Sequence, residues 1–253
     1  SIGGVLAMMH VLELLDKQVT VIIGDSEPPQ SLSMLPGFGK IQRKNYFQIN
    51  PSDFDLFIIQ DSSSPDQISK VGEIKFPSSL RTVAIDHHGT NSEFAIINLV
   101  DPNYPAVCQI LYELFNIWKV DISPKTAINL FMGIYTDTGG FKYEITNSGT
   151  FIAGAELVKL YPDFAKVIFE FENNEEPERL RFIGLSLTHI ETFFQNHVAI
   201  SALPHDLLQT NNIQKRHTEK VDIANMLKSV PGWDIGIRFT ETDPGIVTLS
   251  FRT

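Results

Sequence analysis

Residues 82–91 read TVAIDHHGTN: an apolar run halts at Asp86, two adjacent histidines follow, and a glycine comes next. A short apolar run bounded by polar residues is the pattern of a strand buried on both faces. Residues 81–88 are therefore expected to form a strand with an acid and two imidazoles at its carboxyl end. The same grammar recurs upstream in VTVIIGD (19–25), which ends at Asp25, and in FDLFIIQDSS (54–63), which carries Asp61. Helical patterns near 3–16 and 66–74, and a Pro- and Gly-containing loop over 27–39, separate these runs. Strands alternating with helices imply an α/β fold, a parallel sheet flanked by helices. Ligands of such sheets collect beyond the carboxyl ends of the strands, so Asp25, Asp61 and Asp86 are expected along one edge.

Downstream, two helices are expected near 105–117 and 123–136. The second starts with Ser123 as N-cap and Pro124 at the first helical position. Asp137 and the pair Gly139-Gly140 end it, and TNSGTFIAGAELVKLYP (146–162) begins another capped helix. The charge-rich ENNEEPERLRF (172–182) reads as the start of a linker helix running to about 191. FFQNHVAISALP, TEKVDIANMLKSV, WDIGIRFTE and GIVTLSFRT then read as strand, helix, strand, strand, a second and smaller α+β domain. The expected division is 1–175 for the α/β domain, 176–192 for the linker helix and 193–253 for the second domain.

The 253 residues, 43% of them hydrophobic, suffice for one large or two moderate domains. A formal net charge of -10 argues against coating long duplex nucleic acid, whose affinity comes from basic contacts to phosphate. It leaves room for a small anionic substrate at a local site. With a single cysteine, Cys108, the chain forms no internal disulfide, and no apolar run is long enough to cross a bilayer. A cytoplasmic protein without a membrane partner is expected.

Carboxylate and imidazole are the ligand set of Mn²⁺, Mg²⁺ or Zn²⁺, and two-metal phosphotransfer sites hold their ions roughly 3.5–4 Å apart. Asp61, His87 and Asp137 fall at element ends expected to face one cleft. Asp86 is placed to orient a histidine from behind, as metal-bound imidazoles require. Singly, an aspartate that ends a strand is a turn former; jointly, these residues point to a metal. His10 reads as a packed helix-face residue, His189, His197, His205 and His217 are scattered without ligand spacing, and Cys108 is a small buried hydrophobe. Gly139-Gly140 is explained by a helix C-cap, and Phe141 and Tyr143 by core packing in preference to base stacking.

QDSS (60–63), AIDHHGTN (84–91) and GIYTDTGGFKY (133–143), in that order and at that spacing, resemble motifs II, III and IV of the DHH phosphoesterases. Residues 221–253 are similar to the DHH-associated domain of the RecJ and NrnA branch. The resemblance implies two divalent metal ions, Mn²⁺ first and Mg²⁺ as the alternative. Asp61 would bridge them, while His87 and Asp137 would ligate the second. Asp86 would hold the histidines and His88 would meet the scissile phosphate, both as catalytic residues. A metal-bridging hydroxide would attack phosphorus in line. Arg252, similar to the arginine of the family's Ser-x-Arg-Ser stretch, would bind a substrate phosphate.

The implied substrates are short oligonucleotides trimmed from one end, 3'-phosphoadenosine 5'-phosphate, or cyclic dinucleotides. The alternatives are an inorganic pyrophosphatase-like enzyme and a non-catalytic nucleotide-binding protein on a DHH scaffold. The family's motif I, His-x-x-Pro-Asp-x-Asp, and its Gly-Gly-Gly-His segment would flank the residues present here. A chain truncated at both ends, catalytically silent as it stands and prone to associate as a homodimer, is accordingly expected.

Overall fold

Leu6, Ala7, Met8, Met9 and Val11 are each at most 3% exposed, so the first helix, α1 (Ile2–Leu14), is buried almost all round. A helix apolar on every side has no other stable place. The computed structural model describes residues 1–219 and 221–253. They divide into two units, Ser1–Glu172 and Asn173–Thr253.

In the first unit α1 leads to a short parallel pair, β1 (Val21–Ile22) and β2 (Ile41–Gln42). A three-stranded parallel sheet follows, with β3 (Leu56–Gln60), β4 (Arg81–Asp86) and β5 (Ile97–Val100) side by side in that order and α2 (Pro65–Ile68) after β3. Four helices complete the unit: α3 (Val107–Ile117), α4 (Pro124–Asp137), α5 (Ser148–Leu160) and α6 (Phe164–Glu172). The fold class is the expected one, a parallel α/β unit followed by a smaller α+β unit.

Where α1 crosses α4 the backbones approach so closely that a Cβ on Gly3 would lie 2.2 Å from the Asn129 carbonyl oxygen. A Cβ on Gly133 would meet the Sγ of Cys108 at 2.1 Å, which brings α3 into the same contact. Helix α4 starts as its sequence requires, with the Ser123 hydroxyl accepting from the Thr126 N–H at 3.2 Å and Pro124 following. It ends at Asp137, and Gly139 and Gly140 take positive φ values of 58° and 70° immediately after. These contacts fix the carboxyl end of α4 with respect to α1 and α3.

Several expectations need correction. The strand foreseen over 19–25 is confined to Val21–Ile22, and Asp25 does not join the other acids. Its carboxylate accepts from the Ser69 hydroxyl at 2.9 Å, the Lys70 N–H at 2.6 Å and the Asn45 side-chain amide at 2.7 Å, which commits it to tying two loops together. The helix near 66–74 stops at Ile68, because Ser69 adopts extended backbone. The sheet is interrupted, β1 and β2 forming a ladder of their own.

In the second unit α7 (Pro177–Thr188) stands where the linker helix was expected, and Phe182, fully buried, belongs to the core of this unit. The chain then turns into a strand that the sequence did not reveal, β6 (Ile190–Phe193), paired antiparallel with β7 (Val198–Leu203). Two short helices, α8 (His205–Thr210) and α9 (Lys215–Thr218), precede α10 (Ile223–Lys228). The helix expected over 218–230 includes Lys220, which lies outside the described residues. β8 (Ile235–Asp243) runs parallel to β7, and β9 (Ile246–Arg252) returns antiparallel along β8. Among the described residues no helix is long and apolar enough to cross a membrane.

Candidate metal centre

The sheet β3-β4-β5 delivers its acids to one edge. Asp61 is the residue after β3, and its N–H donates to the Ile85 carbonyl at 3.0 Å, extending the ladder by one step. There the backbone leaves the strand with a φ of +58° at Asp61. A non-glycine residue in the left-handed region is uncommon, although aspartate tolerates it better than most, and such positions cluster at functional sites. Asp86 ends β4 and is 0% exposed.

Asp86 is a hydrogen-bond hub. Its Oδ1 accepts from the His87 N–H at 2.8 Å, from the His88 N–H at 3.4 Å and from His88 Nδ1 at 2.7 Å, while Oδ2 accepts from the Asn91 amide at 2.7 Å. The carboxylate orients the ring of His88 but not that of His87, although one residue was expected to hold both. The His87 ring is set by a backbone atom, the Tyr104 carbonyl, 3.1 Å from its Nδ1. A carbonyl only accepts, so Nδ1 of His87 carries the proton and Nε2 carries the lone pair.

That lone pair faces Asp61, whose Oδ1 lies 3.3 Å from His87 Nε2 yet accepts no hydrogen bond. Two acceptors held this close repel each other unless a proton or a cation stands between them. The proton answer is visible as a His87 pKa above its ordinary value, caused first by the Asp61 carboxylate and opposed by burial. The cation answer is a divalent ion shared by the two atoms. Burial pushes the Asp61 carboxyl up, and the His87 imidazole beside it pulls in the opposite direction.

Asp137 completes the electrostatic picture. Burial, then the neighbouring Asp61 carboxylate, push its pKa up to about 6, and Oδ2 is buried without a hydrogen-bond partner. The residue also ends α4, where the helix dipole is negative and a cation is stabilising. Orphaned acceptors gathered around a carboxylate–imidazole pair are what a divalent cation would satisfy, and the hard oxygen and imidazole donors suit Mn²⁺, Mg²⁺ or Zn²⁺.

Among the described residues two clusters have ligand atoms within 4.8 Å of one another, Asp61-His87-His88 and Glu176-Glu178-His217. Within the first, His88 Nδ1 lies 3.8 Å from Asp61 Oδ1 but is committed to Asp86, which leaves its Nε2 free. The second cluster is structural. His217 Nδ1 accepts from the Gln214 N–H at 2.9 Å, so Nε2 carries a proton; it lies 3.0 Å from Glu176 Oε2 without making a hydrogen bond. Arg252, in the second unit, donates to Asp222 Oδ2 at 2.7 Å. Cys108 is buried, and burial pushes its thiol up to about 12, as expected of a packing residue.

The fold and this centre define an α/β protein with a carboxylate–imidazole cluster beyond the carboxyl ends of parallel strands. Residues 1–134 match the model of the DHH family, N-terminal domain. The chain therefore belongs to the DHH family of phosphoesterases. It is 24% identical over 246 residues to the bifunctional oligoribonuclease and PAP phosphatase NrnA of Thermus thermophilus, covering 97% of this chain and 70% of that protein. The NrnA of Bacillus subtilis is 24% identical over 234 residues, 88% of this chain and 68% of that protein. The NrnA of Mycoplasma genitalium is 27% identical over 173 residues, and the match spans only about half, 52%, of its length. The crystal structure of an exopolyphosphatase-related protein from Bacteroides fragilis superposes with a TM-score of 0.87 over 100% of this chain and 75% of that one, at 24% identity. This likeness concerns the fold.

Proposed function

We propose that the protein carrying this chain is a metal-dependent hydrolase of short oligonucleotides and of 3'-phosphoadenosine 5'-phosphate, with cyclic dinucleotides as further substrates of the same chemistry. The observation that carries the reading is that His87 Nε2 lies 3.3 Å from Asp61 Oδ1 while that oxygen is buried without a hydrogen-bond partner. Asp61, His87 and Asp137 would hold divalent metal, Mn²⁺ first and Mg²⁺ as the alternative. Bound metal supplies an acidified water nucleophile and offsets the charge that develops on phosphate.

The remaining chemistry belongs to side chains. His88 keeps its Nδ1 proton on Asp86, so its Nε2, on a side chain 47% exposed, is the nitrogen turned to a substrate phosphate. That nitrogen would meet a nonbridging or leaving oxygen of the phosphate, and Asp86 holds the ring in place. Arg252 is the proposed phosphate contact of the second unit. The division 1–175, 176–192 and 193–253 is proposed as catalytic domain, linker helix and substrate-binding domain. A cytoplasmic setting and self-association as a homodimer belong to the same proposal.

The relatives' names support oligoribonucleotides and PAP over pyrophosphate. The test is Mn²⁺-dependent turnover of di- to pentaribonucleotides, of 3'-phosphoadenosine 5'-phosphate and of inorganic pyrophosphate, measured side by side. Mononucleotide or phosphate release from the first two is expected to dominate. A clear preference for pyrophosphate would move the assignment to the pyrophosphatase-like alternative.

A further inference from the structure

We propose that Asn91 is the positioning residue that locks the Asp61 loop to the Asp86-His88 turn, so that the metal centre depends on a side chain that touches neither metal nor substrate. The inference rests on the metal-dependent reading above and deepens it. Every polar group of the Asn91 amide is used. One Nδ2 hydrogen goes to Asp86 Oδ2 at 2.7 Å and the other to the Ser62 carbonyl at 3.1 Å, while Oδ1 accepts from the Glu93 N–H at 2.7 Å. Two acceptors on the nitrogen and a donor on the oxygen fix the orientation of the amide.

Each of these bonds has a consequence for the centre. Asp86 is 0% exposed, and among the described residues Asn91 is the side chain that satisfies its Oδ2; the donors from His87 and His88 all converge on Oδ1. Without Asn91 the buried carboxylate has an uncompensated oxygen and is free to rotate about its Cβ–Cγ bond, which releases the ring of His88. Ser62 is the residue after Asp61, whose left-handed backbone, φ +58°, needs support on both sides. The Asp61 N–H is held by Ile85, and Asn91 holds the carbonyl one residue further on. One amide group thus links the Asp86 carboxylate to the backbone that follows Asp61.

Next to it, Ser92 makes a purely structural tie. Its N–H and its hydroxyl both meet the Ser63 carbonyl, at 2.8 and 3.1 Å, without reaching a carboxylate. This neighbour provides the control. Asn91→Ala and Ser92→Ala are compared with the unaltered protein by thermal unfolding, by calorimetric titration with Mn²⁺, and by the imidazole ¹⁵N and ¹H resonances of His88 in the metal-free state.

A positioning role predicts that Asn91→Ala weakens Mn²⁺ binding about 10–100-fold and abolishes the downfield Nδ1–H signal of His88, while Ser92→Ala leaves both unchanged. Asn91→Asp, the same shape with an acceptor turned on Asp86, is expected to bind Mn²⁺ more weakly still. If Asn91→Ala does not fold, Asn91→Ser, which keeps a hydroxyl but is too short to serve both acceptors, carries the comparison. A folded Asn91 variant with unaltered Mn²⁺ affinity and an unaltered His88 signal overturns the positioning role. An unaltered protein that binds no Mn²⁺, yet shows the His88 signal lost only in Asn91 variants, overturns the metal reading and leaves the tie to Asp86 standing.

Discussion

Asp137→Asn should stabilise the metal-free protein while destroying its response to metal. Burial and the adjacent Asp61 carboxylate raise the Asp137 pKa from the ordinary 3.8 to about 6. At 1.36 kcal/mol per decade, ionising this group costs the folded state about 3 kcal/mol more than it costs the unfolded chain. The folded protein therefore keeps its proton longer than the unfolded one. The stabilisation from this proton is complete below pH 3.8 and is lost as the pH climbs to about 6. Asparagine is neutral throughout, so its advantage should be about 3 kcal/mol at pH 7 and about 1 kcal/mol at pH 4.5. Urea denaturation at the two pH values in EDTA measures the difference, and a repeat with Mn²⁺ should stabilise the unaltered protein alone. An asparagine variant no more stable than its parent at pH 7, or equally favoured at both pH values, would refute the argument that Asp137 is a carboxylate awaiting a cation.

Three further outcomes are expected. In the full-length protein carrying this chain, Asp61→Asn keeps a residue that tolerates left-handed backbone, so helical circular dichroism should stay while Mn²⁺ binding and phosphoester hydrolysis disappear; turnover at the parental rate would remove Asp61 from the centre. His87→Gln should lose Mn²⁺ affinity, whereas His88→Gln should bind Mn²⁺ normally and lose kcat, and equal losses of affinity in a calorimeter would contradict the division of roles. Gly133→Val places a branched side chain where Cβ already meets Cys108 Sγ at 2.1 Å. It should cost about 1–3 kcal/mol in thermal unfolding and weaken Mn²⁺ binding through the displaced end of α4, and an unshifted melting point would show that the α1–α3–α4 contact yields more easily than its geometry suggests.

What the sequence disclosed and what it concealed differ for physical reasons. Residues 81–86 are legible because an apolar, β-branched run ending in an acid has few other uses, and α4 because Ser123-Pro124 and Gly139-Gly140 mark its ends by local backbone chemistry. Asp25 looked equivalent to Asp61 and Asp86, since all three follow apolar runs. What separates them is that Asn45, Ser69 and Lys70 supply donors to Asp25, a long-range choice that no local pattern carries. The strand β6 escaped notice because Ile190–Phe193 is exposed along most of its length and lacks the alternation of a half-buried strand. The orienting group of His87 is a backbone carbonyl and has no sequence signature at all. Asn91 had only a weak signal, an asparagine shortly after a glycine, which turn chemistry explains equally well.

The adjacency of His87 and His88 is where local sequence says least and geometry says most. The two rings are the same residue one position apart, with ring centroids 4.4 Å from each other. Each donates through Nδ1, one to a neutral carbonyl and the other to a buried carboxylate. His87, oriented by Tyr104, is thus suited to present a lone pair to a cation shared with Asp61. His88, oriented by Asp86, keeps its Nε2 free for a phosphate. One carboxylate and one peptide carbonyl are sufficient to divide a symmetric pair into a metal ligand and a phosphate contact, and the division depends on both Nδ1 partners staying where β4 and the Tyr104 turn put them.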